Sequence, residues 1–485
     1  MTIRFSAADL KLFATASHDR SPLHTSALYA RRSTFGSPLA YGAQEALAVM
    51  GRLPSPPTGQ RLAAMTLEFS RAVYLDTDYQ VLPRPDGAFL MDGSTRMVSV
   101  KLVFAAGAPW SPDLTPLPAA LPMTAPLLNE TDLVPGLERQ GLYCPDPEDS
   151  AELFRKAGLD PSEWGSFALT VILWASYLVG MQIPGERSLS FRYTIQFDEP
   201  PVAGVAGGPM SWVARCKGRN ALNLVKNEVE LFVGGQRAAS GSIEALLRPP
   251  ALVSRYEFPR SEELAGKTAL VIGASRGFGA AVTRALVLRG ARVVAGFSES
   301  TPDAERLREE LGVDLAQGDA AELVFLRALK ARCPQLDFLV LNACPALLGL
   351  KAEAESVERM TAFVARAFAM VSAPLSVFAG SVENRIVLIS AGYVETFPKD
   401  YGHFVAAKAA AEGLLQAVAR QYRKPGYLIV RPPKMLTDMT NAPYGAEDAV
   451  AVEPLACRVV DRLCGSFSPG EVEFTRGTFM LGKVK

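Results

Sequence analysis

Thr268 to Ser298 read TALVIGASRGFGAAVTRALVLRGARVVAGFS. An apolar run ends at Ile272, glycines follow at 273, 277 and 279, a helical pattern continues from them, and a second apolar run closes the stretch. The order is strand, turn, helix, strand. Glycine lets the turn close tightly and lets a ligand approach the backbone, and the N–H groups opening the helix favour a pyrophosphate. Short apolar runs follow at LDFLVLNA, NRIVLIS and GYLIVRPP, with helical patterns between them. Such a βαβ series implies an α/β domain with a parallel, doubly wound sheet and a dinucleotide site at the strand ends.

Two breaks lie upstream. Pro109 to Pro126 (PWSPDLTPLPAALPMTAP) hold six prolines and can sustain neither a helix nor a central strand. Leu246 to Lys267 form the second break. The expected division is a first unit at 1–108, a linker at 109–127, a second unit at 128–248, a linker at 249–262 and the nucleotide-type domain at 263–485.

The two upstream units share a grammar: a turn-rich opening, an apolar helix containing glycine, then a run of strands. The helices are SPLAYGAQEALAVMGRL and WGSFALTVILWASYLVGM. Alternation is plain at Leu189, Phe191, Tyr193, Ile195 and Phe197, which indicates an antiparallel sheet with one face covered. A long apolar helix wrapped by such a sheet is an α+β arrangement, and the near-repeat suggests two units packed as a pseudo-dimer. Trp164 to Gly185 carry no charged residue and meet the length of a membrane span. Ser, Thr, Gln and Pro within the stretch, and the absence of flanking Lys/Arg clusters, favour a buried helix instead.

Composition narrows the function. The 50 Lys+Arg balance 50 Asp+Glu, so no long-range field draws the chain to nucleic acid or to an anionic membrane. The six cysteines form no CxxC pair and no zinc-ligand cluster, so no metal site is expected and a reducing, cytoplasmic setting is. The N-terminus has no signal-peptide pattern. Of three histidines, His18, His24 and His403, one stands five residues after Asp19 across a proline turn. A carboxylate and an imidazole aimed into one pocket can polarise one water. The same spacing also arises around an ordinary structural histidine.

The residues ASHDRSPLH, followed by LYA, FG and YG, resemble the MaoC-like (hydratase-2) hot-dog family. The resemblance rests on Asp19, Pro22, His24, Tyr29, Ala30 and Gly42, and it departs at His18, Ser21 and Tyr41. It implies a double hot-dog fold whose second half, lacking histidine, is inactive. It also implies a hydro-lyase, a dehydratase/hydratase interconverting 3-hydroxyacyl and trans-2-enoyl thioesters. Asp19 and His24 would activate the water, with Gly42 and Ser21 at the thioester carbonyl. The acyl group would ride on coenzyme A or a separate acyl carrier protein, as in polyketide or fatty-acid biosynthesis, and dehydration would need no cofactor.

The C-terminal segment resembles the short-chain dehydrogenase/reductase family, a Rossmann-type fold. Gly273, Gly277 and Gly279 match its G-x3-G-x-G turn, and Arg276 matches the basic residue that favours the 2′-phosphate of NADPH. Asp319 matches the adenine-contacting Asp, Asn342 the Asn of its NNAG motif, and Thr437 the Thr of PG-x-V-x-T-D-M. These residues would hold NADPH, together with Lys408 of the family's Tyr-x3-Lys pair. The Tyr position is Phe404, which has no ionisable oxygen, and Ser390 lies one residue off the usual Ser spacing, which falls on Ala391. Tyr401 and His403 are the candidate substitutes. The expectation is a reductase-like domain without reductase activity, and a homodimer through that domain is a candidate assembly. Two alternatives stay open: a bifunctional NADPH-dependent 3-oxoacyl reductase/dehydratase, and a non-catalytic binding or scaffold protein.

Overall fold

The computed structural model describes residues 1–117, 119–200, 208–347, 349–422 and 425–465. The chain forms two compact units, Met1–Pro250 with Ala442–Tyr444, and the remainder from Ala251.

The first unit is built on one ten-stranded antiparallel sheet: β1 (Thr2–Ile3), β2 (Gln60–Phe69), β3 (Tyr79–Arg84), β4 (Gly87–Asp92), β5 (Thr95–Ala106), β6 (Glu138–Tyr143), β7 (Ser188–Phe197), β8 (Met210–Arg219), β9 (Leu224–Val233) and β10 (Gln236–Leu247). The strands lie in the order β1-β3-β4-β5-β2-β7-β10-β9-β8-β6. Read inward from either end the order is the same: a leading strand, then the third, fourth and fifth strands of that half, then its second. The halves meet where β2 pairs with β7, from Ala64↔Gln196 to Glu68↔Arg192. The pseudo-dimer grammar of the sequence therefore corresponds to a repeated topology within one continuous sheet. The proline-rich stretch belongs to this unit and is tied to it by bridges at Leu114↔Gly208 and Leu127↔Gly185.

In each half the last helix before the second strand is apolar: Gly42–Met50 in the first and Ser166–Met181 in the second. Gly42–Met50 is short, nine residues capped by Gly51. Ser166–Met181 is apolar on every side, and Phe167 through Met181 are all buried, so it is the core helix expected of the uncharged stretch. Burial of large apolar side chains such as Leu173, Trp174 and Leu178 stabilises by about 1.5–3 kcal/mol each.

The second unit has a six-stranded parallel sheet: β11 (Thr268–Ile272), β12 (Arg292–Phe297), β13 (Asp314–Gln317), β14 (Leu336–Leu341), β15 (Val382–Ile389) and β16 (Gly426–Val430). Its order is β13-β12-β11-β14-β15-β16. Separate apolar clusters cover the two faces. This is the doubly wound Rossmann-type sheet, and its order reverses between β11 and β14, where ligands of such sheets bind. One described helical stretch, Val357–Ser381, is long and apolar enough to cross a membrane; it is the crossover between β14 and β15.

Candidate functional site

Gly273 follows β11 with φ at +85°, a conformation open to glycine at little cost. Its N–H and that of Ala274 both donate to the Gly296 carbonyl at 2.9 Å, closing the turn against β12. The Asn342 amide, just beyond β14, donates to the Gly273 carbonyl at 2.9 Å. A Cβ on Gly279 would stand 1.9 Å from the Gly273 oxygen and 2.6 Å from Asn342 Nδ2, and one on Gly273 would stand 2.7 Å from the Ala343 nitrogen. The helix Gly277–Val287 opens directly behind this turn. Gly273, Gly277, Gly279 and Asn342 thus form a backbone cradle in which Gly273 and Gly279 have no room for a side chain, at a helix N-terminus. The arrangement fits a dinucleotide pyrophosphate.

The flanking expected residues are engaged within the protein. Arg276 pairs with Asp438 at 3.5 Å. Asp319 accepts from the Ala321 N–H at 2.9 Å and pairs with Arg366 at 2.6 Å. Burial raises its carboxyl, but these two bonds outweigh that and leave it below its usual range. The Thr437 methyl lies 3.6 Å from where a Cβ of Gly277 would be, at the edge of the cradle.

In the first unit, Asp19 and His24 are not bonded to one another. Asp19 Oδ2 accepts from Ser176 Oγ at 2.6 Å, and Oδ1 accepts from the Ser21 N–H at 3.0 Å. A Cβ on Gly180 would fall 2.2 Å from Oδ1, so the carboxyl lies against the Ser166–Met181 helix. Burial pushes Asp19 up to about 6, against the bonds from Ser176 and Ser21. His24 Nδ1 lies 2.9 Å from the Leu39 carbonyl, and burial pushes the ring down to about 4. A neutral ring at this carbonyl carries its proton on Nδ1, which leaves Nε2 as an acceptor. Tyr41 links the two groups: its hydroxyl donates to the Asp19 carbonyl at 2.8 Å and its ring stacks on His24. Ser21 Oγ is buried with no hydrogen-bond partner. Gly42 opens its helix, where a Cβ would meet the Phe69 ring at 2.9 Å. The second half, expected only to close the pocket, supplies Ser176 and Gly180 to the Asp19 carboxyl. Sequence reasoning also missed Glu45, which is buried in the first turn of the Gly42 helix and pushed well above its usual range by that burial. Its one sequence signal is a carboxylate on the otherwise apolar face of that helix.

A family model described as short chain dehydrogenase matches residues 267–447. The cyclic-di-GMP-binding biofilm dispersal mediator protein of Escherichia coli (strain K12) is 30% identical over 184 residues, covering 36% of this chain and 76% of that protein. The chain belongs to the short-chain dehydrogenase family. Its similarity extends to the 3-oxoacyl-[acyl-carrier-protein] reductase FabG of Vibrio cholerae, 30% identical over 191 residues, 37% of this chain and 78% of that one. It extends also to the D-erythrulose reductase of Gallus gallus, 33% identical over 186 residues, 36% of this chain and 73% of that one. The crystal structure of BdcA in complex with NADPH matches at 25% identity with a TM-score of 0.39, over 43% of this chain and 93% of that one.

These findings overturn the expected hydro-lyase. Family and named reductase relatives point to an oxidoreductase instead.

Phe404 and Lys408 of this short-chain dehydrogenase lie on the helix Gly402–Gln421. Lys408 stands one turn after Phe404, its Nζ 5.5 Å from the centre of the Phe404 ring, and it donates to the Ile389 carbonyl at 2.8 Å. Ser390 is buried and donates to Glu412 at 2.5 Å, and Glu412 also holds Arg431. This ties Ser390 into a buried ionic cluster. His403 is buried against Phe363, ring centres 4.8 Å apart. Tyr401 packs on Tyr393 at 5.7 Å, and Tyr393 itself meets Phe404 edge-on at 6.0 Å. Tyr393 is the phenol packed on the 404 ring. The sequence offered no spacing signal for it, because the turn Tyr393–Thr396 that carries it is a separate short helix.

Proposed function

We propose that the second unit is an NADP(H)-dependent reductase of the short-chain dehydrogenase kind, acting on a ketone of the 3-oxoacyl class. The observation that carries the reading is the cradle formed by Gly273, Gly279 and Asn342, with Lys408 retained on the Gly402 helix. Gly273, Gly277, Gly279, Asn342 and Thr437 would hold the dinucleotide, with Arg276 at its 2′-phosphate and Asp319 at its adenine. The bound nicotinamide supplies the hydride. Tyr393 donates its phenolic proton to the substrate oxygen and is reprotonated from solvent. Lys408 orients the site from the strand end and adds positive charge beneath the 404 ring. Reductase relatives acting on 3-oxoacyl groups support the substrate class.

The repeated strand topology of the first unit, with the apolar helices Gly42–Met50 and Ser166–Met181 one in each half, supports the double hot-dog reading. We propose that this unit binds the acyl thioester, carried by coenzyme A or a separate carrier protein. Val357–Phe378, apolar yet with most of its residues outside the core, supports a homodimer through the second unit.

A second reading is favoured by Phe404 and by the capture of Ser390 in the Glu412–Arg431 cluster: a dinucleotide bound without hydride transfer. The name of the Escherichia coli relative, a cyclic-di-GMP-binding mediator, is in keeping with it. NADPH oxidation with acetoacetyl-coenzyme A and with an acetoacetyl carrier protein separates the two. The reductase reading expects turnover that falls at least tenfold in Tyr393→Phe and rises in Phe404→Tyr. NADPH binding without consumption in wild type would replace it by the second.

A further inference from the structure

Arg248 follows β10 and is nearly sealed, at 7% exposure. Its Nε donates to the Ser188 carbonyl at 3.4 Å, and its Nη2 donates to the Glu186 carbonyl at 2.8 Å and the Tyr29 hydroxyl at 3.1 Å. The guanidinium lies 5.4 Å from the centre of the Tyr29 ring. None of these partners is anionic. The Glu186 carboxyl interacts with the Tyr29 hydroxyl, but no carboxylate among the described residues lies within ion-pair distance of Arg248. Arg187, equally buried, shows the usual solution: its Nη2 meets Glu130 at 2.5 Å.

A guanidinium removed from water normally holds an anion, because its desolvation is otherwise uncompensated. Among the described residues Arg248 Nη1 makes no hydrogen bond, and it is not one of the sealed polar atoms. The Arg248 charge reaches His24, whose ring is depressed chiefly by burial and further by that charge. Beside it lies a small apolar cluster, separate from the main core, formed by Leu23, Ala30 and Leu39 with Tyr29 and Leu189 packed on it. Tyr29 belongs to both neighbourhoods.

We infer that Arg248 is the anion-binding residue of a ligand site in the first unit. The ligand carries a carboxylate or phosphate head on an apolar body. The head accepts from the two N–H groups of Nη1 in charge-assisted hydrogen bonds, and the apolar body lies along Tyr29 and Leu189. The site requires neither nicotinamide binding nor reduction.

Calorimetric titration of the full chain with octyl phosphate, octanoate and neutral octanamide tests this. Wild type is expected to bind at least one of the anions at least tenfold more tightly than octanamide, and the stronger anion identifies the head group. Arg248→Gln should lose that tenfold preference and keep its affinity for octanamide. A second measurement needs no variant. With three histidines in the chain, the His24 ring can be followed by NMR, and a bound anion should move its titration upward. Equal affinity for all three probes, an unchanged preference in Arg248→Gln, or a His24 titration unmoved by saturating anion would each overturn the inference.

Discussion

The Tyr41 ring stacks on the His24 imidazole with centres 3.9 Å apart and planes 27° from parallel. The same residue donates its hydroxyl to the Asp19 carbonyl, so one side chain fixes both ends of the Asp19–His24 turn. Tyr41→Phe keeps the stacking and leaves a buried carbonyl short of its donor, which should cost about 1–2 kcal/mol. Tyr41→Ala also removes a fully buried ring and should cost about 3–5 kcal/mol. Urea unfolding followed on the first unit checks both. Equal losses in the two variants would assign the whole effect to the hydroxyl.

Burial sets the titrations of Asp19 and His24 against each other. Asp19 rises from 3.8 to about 6 on folding, so its contribution is complete below 3.8 and is lost as pH rises through 6. His24 falls from 6.5 to about 4, so its contribution is complete above 6.5 and is lost as pH falls through 4. Each amounts to ~3 kcal/mol, and from pH 4 to 6 they nearly cancel. Relative to wild type, Asp19→Asn should gain stability as pH rises through this window, and His24→Gln should lose it. Urea midpoints at half-unit pH steps measure the slopes, and profiles parallel to wild type would contradict the assignment.

Gly180→Ala should damage the first unit although alanine favours helix by about 1 kcal/mol. Its Cβ would press on Asp19 Oδ1 and push the carboxyl off Ser176. A net loss of about 1–3 kcal/mol is expected. Gly413→Ala in the helix Gly402–Gln421 is the control, since a Cβ there meets nothing within 4 Å, and it should stabilise by about 0.5–1 kcal/mol. Calorimetric unfolding of the two variants compares them directly.

Gly279→Ala tests the nucleotide cradle. The added methyl has no room against the Gly273 carbonyl, and opening that turn displaces the N–H groups that would face a pyrophosphate. NADPH affinity, read from its fluorescence, should fall at least tenfold, while Asp19 and His24 keep their titrations. Unchanged affinity would place the dinucleotide elsewhere.

The nucleotide-type sheet was legible because its signals are local. Ile272 closes a strand and Gly273, Gly277 and Gly279 follow within seven residues, so one window of sequence holds the turn. In the first unit the alternation at Leu189–Phe197 and the two apolar helices were legible for the same reason. β1, β3 and β6 were not. β1 is two residues long, β3 carries Pro83, and β6 alternates only weakly at a sheet edge. The surroundings of Asp19 and His24 were not legible. Asp19 and His24 are close in sequence, yet the partners that set their chemistry, Ser176, Gly180, Leu39 and Arg248, lie from 15 to 224 residues away along the chain. Spacing between neighbours in sequence carries no information about such partners. The hydro-lyase expectation fell to the match of the second unit with the short-chain dehydrogenase family and its reductase relatives.

The seam between β2 and β7 governs what the first unit could do if divided. Scission within the proline-rich stretch would strip β2 of its cross-seam neighbour and leave the Ala64–Glu68 edge without hydrogen-bonding company. A fragment ending near residue 108 would then seek any antiparallel strand of suitable register, including β2 of a second fragment. Like would compete with unlike. In the intact chain the tether raises the local concentration of the correct mate so far that self-pairing is suppressed. That security allows one half to keep Asp19 and His24 while the other specialises in holding them.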